Sequence, residues 1–219
     1  MRTLIIKYTP REEHSRTKDL LDYFKGLVFD LTDGEEKDTI RQIDLADDLP
    51  APLTRERLLA YYKRNYKGET LSLPEQHMLE QMDSFALDLH NTDVLVIACP
   101  IYHFGMPAIV KAWLESAIQR GVAYGIDEQD GVIPKLSHLR VLTLYTAGIL
   151  YDDIHGTTGW NTLPVMIEAN FQWTGAKDIR IVGIEGLDML PPEDISHRVD
   201  ESKRRLHDIF AKWYLKTKK

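Results

Sequence analysis

The chain has 219 residues, 43% of them hydrophobic and 28% charged, a balance that supports one globular domain with a sizeable core and excludes an extended disordered chain. A formal net charge of −7 argues against a nucleic-acid binder, and the basic clusters Lys203-Arg-Arg205 and Lys216-Thr-Lys-Lys219 read as the solvated face of a last helix and its tail. Cys99 is the only cysteine, so no intrachain disulfide can form, which fits a reducing, cytoplasmic compartment. The apolar run from Val94 to Val110 is broken by Pro100, His103 and Pro107 and makes a poor membrane span, and Met1 to Lys7 is too short for a signal peptide.

In chain order, Thr3 to Tyr8 reads as a first strand, followed by a helix over Thr17 to Gly26 and a strand over Thr39 to Leu45. The segment 47–73, rich in Pro and Tyr, reads as an insertion carrying an amphipathic helix from Thr54 to Lys63. Its tyrosines, Tyr61, Tyr62 and Tyr66, either pack on their own domain or contribute to a subunit interface. A helix over Leu73 to Leu89 leads to the strand Asp93 to Cys99, whose unbroken apolar run is that of a strand buried on both faces. A helix over Pro107 to Arg120, a strand over Leu139 to Tyr145, a helix over Asn161 to Thr174, a strand over Ile179 to Ile184 and a helix over Glu193 to Leu215 complete the chain. Strands that alternate with helices imply a doubly wound α/β fold, a five-stranded parallel sheet with helices on both faces, spanning 1–219 as one domain.

Ligands of such sheets bind beyond the carboxyl ends of the strands, so the three loops there are the candidate site. After the first strand, Thr9, Ser15, Arg16 and Thr17 gather where a helix begins. Backbone N–H groups and the helix dipole favour an anion such as a phosphate there, although Ser15 is equally a plain N-cap. No Gly-x-Gly-x-x-Gly or Gly-x-x-x-x-Gly-Lys-Ser/Thr motif is present. After the third strand, Pro100-Ile-Tyr-His-Phe-Gly105 offers two rings and a glycine for close approach, suited to a planar, polar-edged molecule such as a flavin. Tyr102 and Phe104 as core residues, and His103 as a solvated histidine, are the alternatives. The loop from Thr146 to Trp160 is long and glycine-rich; Thr146, Gly148, Tyr151 and His155 are its candidate functional positions. Asp152, Asp153 and His155 are set aside as a metal cluster, because no second His or Cys stands at ligand spacing.

Taken together, these loops resemble those of the flavodoxin-like NAD(P)H:quinone oxidoreductases and, more closely, the FMN-dependent NADH-azoreductases. The resemblance rests on Tyr8-Thr9 with Ser15-Arg16-Thr17, Pro100-Ile-Tyr-His-Phe104, Gly121-Val-Ala-Tyr124 with Asp130-Gly-Val-Ile-Pro-Lys135, Thr146-Ala-Gly148, and Gly175 before a strand ending Ile184-Glu-Gly186. It implies strand order 2-1-3-4-5 and an FMN phosphate on Thr9, Ser15, Arg16 and Thr17. The flavin ring would lie on Pro100, Ile101, Tyr102, His103 and Phe104, with its far edge at Thr146, Ala147 and Gly148. Tyr151 and His155 would stand where quinone reductases place the Tyr and His that stabilise reduced flavin, at a tighter spacing, and Thr146-Ala-Gly-Ile149 differs from the azoreductase Ser-Arg-Gly-Gly. The implied activity is two-electron, ping-pong reduction of a quinone or azo acceptor by NADH or NADPH in a cytoplasmic homodimer, with FAD as the alternative flavin. An electron carrier or flavin-binding regulatory module without nicotinamide oxidation is the other class of function, and a hydrolase is disfavoured by the lack of a Gly-x-Ser-x-Gly elbow.

Overall fold

The computed structural model describes residues 1–31, 40–127, 129 and 131–215. Thr39 of the second expected strand, Asp130 and the basic tail Lys216–Lys219 lie outside the described residues.

Five parallel strands form the sheet: β1 (Thr3–Lys7), β2 (Ile40–Asp44), β3 (Val94–Pro100), β6 (Arg140–Thr146) and β7 (Asp178–Ile184), in the order β2-β1-β3-β6-β7. This is the expected 2-1-3-4-5 arrangement, renumbered because a two-stranded hairpin, β4 (Tyr124–Asp127) with β5 (Gly131–Pro134), intervenes. The sequence reading missed that hairpin. Each arm is four residues, Ile126, Val132 and Ile133 are exposed, and strands this short show no periodicity to read. The hairpin is fixed by contacts remote in sequence: Lys135 donates through Nζ to the Gly121 carbonyl at 2.8 Å, and a Cβ on Gly175 (φ +87°) would come within 2.6 Å of Pro134.

β3 is the central strand, and Val94 to Cys99 are completely buried, as its unbroken apolar run requires. Alternation divides it between two cores. Leu95, Ile97 and Cys99 join Leu4, Ile6, Trp113 and Phe171 on one face, under α3 (Leu73–His90), α4 (Ala108–Ala117) and α5 (Leu163–Trp173). Val94, Val96 and Ala98 join Ile5, Phe24, Leu142 and Trp213 on the other, under α1 (Arg16–Leu31) and α6 (Pro192–Tyr214). On α6, Lys203 lies 5.5 Å above the Tyr23 ring and Arg205 donates to the Ile181 carbonyl at 2.8 Å, so this basic cluster serves packing as well as solvation.

Helix α4 stops three residues before Arg120, because Ile118 turns to ψ 80°. The freed Arg120 N–H donates to the Tyr61 hydroxyl at 2.8 Å. Within the insertion, α2 (Arg55–Asn65) starts at an N-capping Thr54 and packs through Ala60 and Tyr61 onto Leu71, Leu79 and Met82. Arg64 grips Asp83 with two bonds of 2.6 and 2.7 Å. The insertion therefore packs on its own domain, which accounts for Tyr61 but leaves the stacked pair Tyr62 and Tyr66 exposed at 46% and 43%.

Candidate functional site

At the carboxyl edge of the sheet the loops after β1, β3 and β6 converge on a cavity of ≈ 200 Å³. Its wall is formed by Ser15, Arg16 and Thr17 from the first loop, Pro100, Ile101 and Tyr102 from the second, and Thr146, Ala147 and Gly148 from the third. Nine of the residues singled out from the sequence thus meet in one place.

The first loop leaves β1 through a short 3-10 turn, Glu12–His14, before α1 begins. Ser15 caps that helix: its carbonyl accepts from the Asp19 N–H at 3.2 Å and its Oγ from the Lys18 N–H at 3.3 Å. The capping and anion-binding roles are compatible, because an Oγ that accepts from a backbone N–H still has its own proton to donate. The amides of Arg16 and Thr17 belong to the first turn, where an α-helix offers no internal acceptor. Thr17, fully buried, shares a 2.7 Å hydroxyl–hydroxyl bond with Thr146 that ties the first loop to the third.

The second loop makes a tight turn in which Tyr102 and Gly105 exchange backbone bonds of 2.9 and 3.1 Å. His103 (φ 46°) and Phe104 (φ 68°) occupy its centre, both in the left-handed region that glycine or asparagine ordinarily fills. The strain is held by a clasp from downstream, where Thr162 donates to the Phe104 carbonyl through its N–H at 2.8 Å and through Oγ1 at 3.0 Å. Gly105 has to lack a side chain, since a Cβ there would stand 2.8 Å from Thr162 Oγ1. Trp160 meets Phe104 edge-on at 5.3 Å, and Tyr102 meets Tyr8 edge-on at 6.4 Å. Burial and then the neighbouring Tyr8 push the Tyr102 hydroxyl above the usual tyrosine range, against the pull of Arg11.

Other residues named from the sequence sit elsewhere. Thr9 is buried, with an Oγ1 that has no partner among the described residues, and it does not line the cavity. His103 and Phe104 stand on the turn beyond Tyr102. Tyr151 is partly buried off the cavity wall, its hydroxyl pushed up by burial and then by Glu185. His155 is exposed and turned onto Asp152, which accepts from its backbone N–H at 2.9 Å and lies 2.7 Å from its Nδ1. Those two contacts, the backbone one first, hold the Asp152 carboxyl below its usual range.

Sequence reasoning missed Pro10, Arg11 and His14 of the first loop and Leu187 and Asp188 after β7, all of which line the cavity. Arg11 and His14 lie inside a loop already marked as anion-binding, where the Arg11 charge and the His14 ring N–H were the available signal. For Leu187 and Asp188 the signal was Gly186 (φ +83°), a turn at the carboxyl end of another strand of the same sheet. The segment after β7 is strapped to the third loop by Leu187 N–H to the Ala147 carbonyl at 3.1 Å and Asp188 N–H to the Gly148 carbonyl at 2.9 Å.

Comparison with known proteins agrees with this geometry. Among curated relatives, an FMN-dependent NADH:quinone oxidoreductase of Nitratidesulfovibrio vulgaris is 29% identical over 183 residues, covering 83% of this chain and 85% of the relative. FMN-dependent NADH:quinone oxidoreductase 1 of Bacillus anthracis is 23% identical over 215 residues, covering 94% of both. The crystal structure of a Bacillus anthracis FMN-dependent NADH-azoreductase in complex with FMN superposes with a TM-score of 0.82 at 21% identity, over 95% of this chain and 99% of that one. A family profile described as a flavodoxin-like fold matches residues 1–210, and the chain belongs to that family.

Proposed function

We propose that the protein is an FMN-dependent NAD(P)H oxidoreductase that reduces quinones, azo compounds or similar acceptors. The observation that carries this reading is the convergence of a hydroxyl-bearing helix start, an aromatic second loop and the Thr146–Gly148 segment on one cavity. The donor set fits the cofactor: Ser15, the amides of Arg16 and Thr17 and the cations Arg11 and Arg16 suit a phosphate, while Pro100, Ile101 and Tyr102 offer a largely apolar bed for a ring. FMN, when bound, supplies two-electron chemistry between nicotinamide and acceptor; the protein supplies position, electrostatics and exclusion of water.

In this reading Ser15 and the amides after it anchor the phosphate and Tyr102 shields the ring from solvent. The backbone around Gly148 faces the edge where negative charge gathers on reduction. Tyr151 and His155, which lie off the cavity wall, are the candidate proton donors of this reading. We further propose a cytoplasmic homodimer, supported by the exposed Leu58, Leu59, Tyr62 and Tyr66 on and beside α2. Among the described residues no helix is long and apolar enough to cross a membrane.

The test is direct. Purified protein should be yellow, release FMN on denaturation, and oxidise NADH or NADPH in the presence of a naphthoquinone. Colourless protein that takes up no FMN, or flavin-loaded protein that oxidises neither nucleotide, would reject the assignment.

A further inference from the structure

Asp188 is a carboxylate on the wall of a cavity otherwise furnished for an anion. It lines both the site cavity of ≈ 200 Å³ and a larger adjoining basin of ≈ 430 Å³. Its position is set by backbone, since the N–H groups of Gly186, Leu187 and Asp188 donate in turn to the Ile149, Ala147 and Gly148 carbonyls and strap the segment after β7 onto the third loop. The carboxylate rests against Gly148 so closely that a methyl group at that glycine would collide with it. Arg11, His14 and Arg16 share these walls, as do Glu13 and Asp19, and Arg16 lies 3.7 Å from Asp19. The third-loop face is thus left with a negative charge.

We propose that Asp188 sets the reducing power of the bound cofactor, an inference that rests on the flavin reading above. Adding two electrons and one proton to a neutral flavin ring leaves one negative charge on it. A carboxylate held against Gly148 raises the free energy of that charge and leaves the oxidised ring nearly unaffected. The reduced cofactor then binds less tightly than the oxidised one and becomes a stronger electron donor. Asp188 touches no reacting atom in this account; it acts through the field.

The experiment compares FMN-loaded parent, Asp188→Asn and Asp188→Glu by equilibration with a reference dye, together with FMN titrations of the oxidised proteins. Asp188→Asn should favour the reduced form about tenfold over the parent, a rise in midpoint potential of about 30 mV for a two-electron couple. Asp188→Glu should stay near the parent. The gap should narrow in 1 M salt, where the screening length is about 3 Å. An unchanged potential in Asp188→Asn overturns the inference, as does equal tightening of oxidised and reduced FMN, which would mark repulsion of the phosphate instead. A parent that binds no FMN overturns the functional reading as well, so the two failures are told apart.

Discussion

Ser15 separates the two roles of the first loop. Its Oγ accepts from the Lys18 N–H at 3.3 Å, so Ser15→Ala removes both a helix cap and a candidate phosphate donor. Ser15→Gly removes only the donor in energetic terms, because glycine is itself a tolerable N-cap and costs a few tenths of a kcal/mol where alanine costs about 1. A charge-assisted hydrogen bond to phosphate contributes roughly 1.5–3 kcal/mol, which corresponds to about a 10- to 150-fold change in dissociation constant. Ser15→Gly should therefore keep its urea midpoint nearly unchanged and weaken FMN binding by about that factor.

Thr17→Val provides the contrasting case. Thr17 and Thr146 share one buried bond of 2.7 Å, and Val preserves the shape while stranding the Thr146 hydroxyl. That should cost about 1–3 kcal/mol of stability in the flavin-free protein. Two hydroxyls in such a pair have one proton to spare, so the effect on FMN should be smaller than that of Ser15→Gly. Titration by flavin fluorescence quenching, alongside urea unfolding of the same samples, measures both quantities. If Ser15→Gly binds FMN as tightly as the parent, the loop is a helix cap and nothing more.

His155→Ala should retain its flavin and lose about a hundredfold in turnover, the lower end of general-acid assistance, and stopped-flow traces with parental rates in both half-reactions would exclude a chemical role. Tyr62→Glu should shift a micromolar dimer toward monomer in sedimentation velocity; a parent that is already monomeric and fully active disposes of the interface. Glu75 is held down to about 2 by the Lys63 ammonium and then by Ser72, so its contribution to stability is present above the ordinary carboxylate value and is lost as pH falls from about 4.5 toward 2; Glu75→Gln should flatten the acid-unfolding curve in that window. Burial pushes the Cys99 thiol up to about 12, so alkylation at pH 8 should follow global unfolding rather than proceed from the native state.

The sheet was legible because its signal is local. Val94 to Cys99 is apolar throughout, the strands on either side alternate with amphipathic helices, and right-handed crossovers leave few ways to wind them. Pro100–Tyr102 and Thr146–Gly148 were legible for the same reason, each beginning at the last residue of a strand, and Ser15–Thr17 because hydroxyls gather where the first helix begins. Features made by long-range contact were not. The β4–β5 hairpin depends on Gly121 and Gly175, and α4 ends short of Arg120, whose amide meets Tyr61 of a helix far upstream. Arg11, His14 and Asp188 had only weak local signals, a basic loop and a glycine after a strand, and were brought together when the folded loops closed on one volume.

The loops form a single bonded unit. Ile101 N–H donates to the Thr146 carbonyl at 2.8 Å, Thr146 meets Thr17, Ala147 N–H donates to the Ile184 carbonyl at 2.9 Å, and Asp188 N–H returns to Gly148. The Ile101 and Ala147 bonds tie loop residues to the ends of neighbouring strands, the Thr17 bond ties the start of α1 to the end of β6, and the Asp188 bond ties the two loops beyond, so the donors of the cradle are held by the sheet and its first helix. Only the His103–Phe104 turn departs from relaxed backbone on this edge of the second loop, and two residues in the left-handed region cost about 1–3 kcal/mol each. The pair of hydrogen bonds that Thr162 donates to the Phe104 carbonyl is what opposes that cost. Replacing Thr162 by Val keeps the backbone bond and removes the one from Oγ1, which should loosen the turn and the contact of Trp160 with Phe104 while leaving Ser15 and the phosphate end of the cavity as they are. Native-state hydrogen exchange should show faster exchange at Gly105, whose N–H closes the turn on Tyr102, and unchanged protection at Ile101. Equal exchange at both sites in parent and variant would mean that the Oγ1 bond does not hold the strain, which then rests on the backbone bond and the packing of the rings.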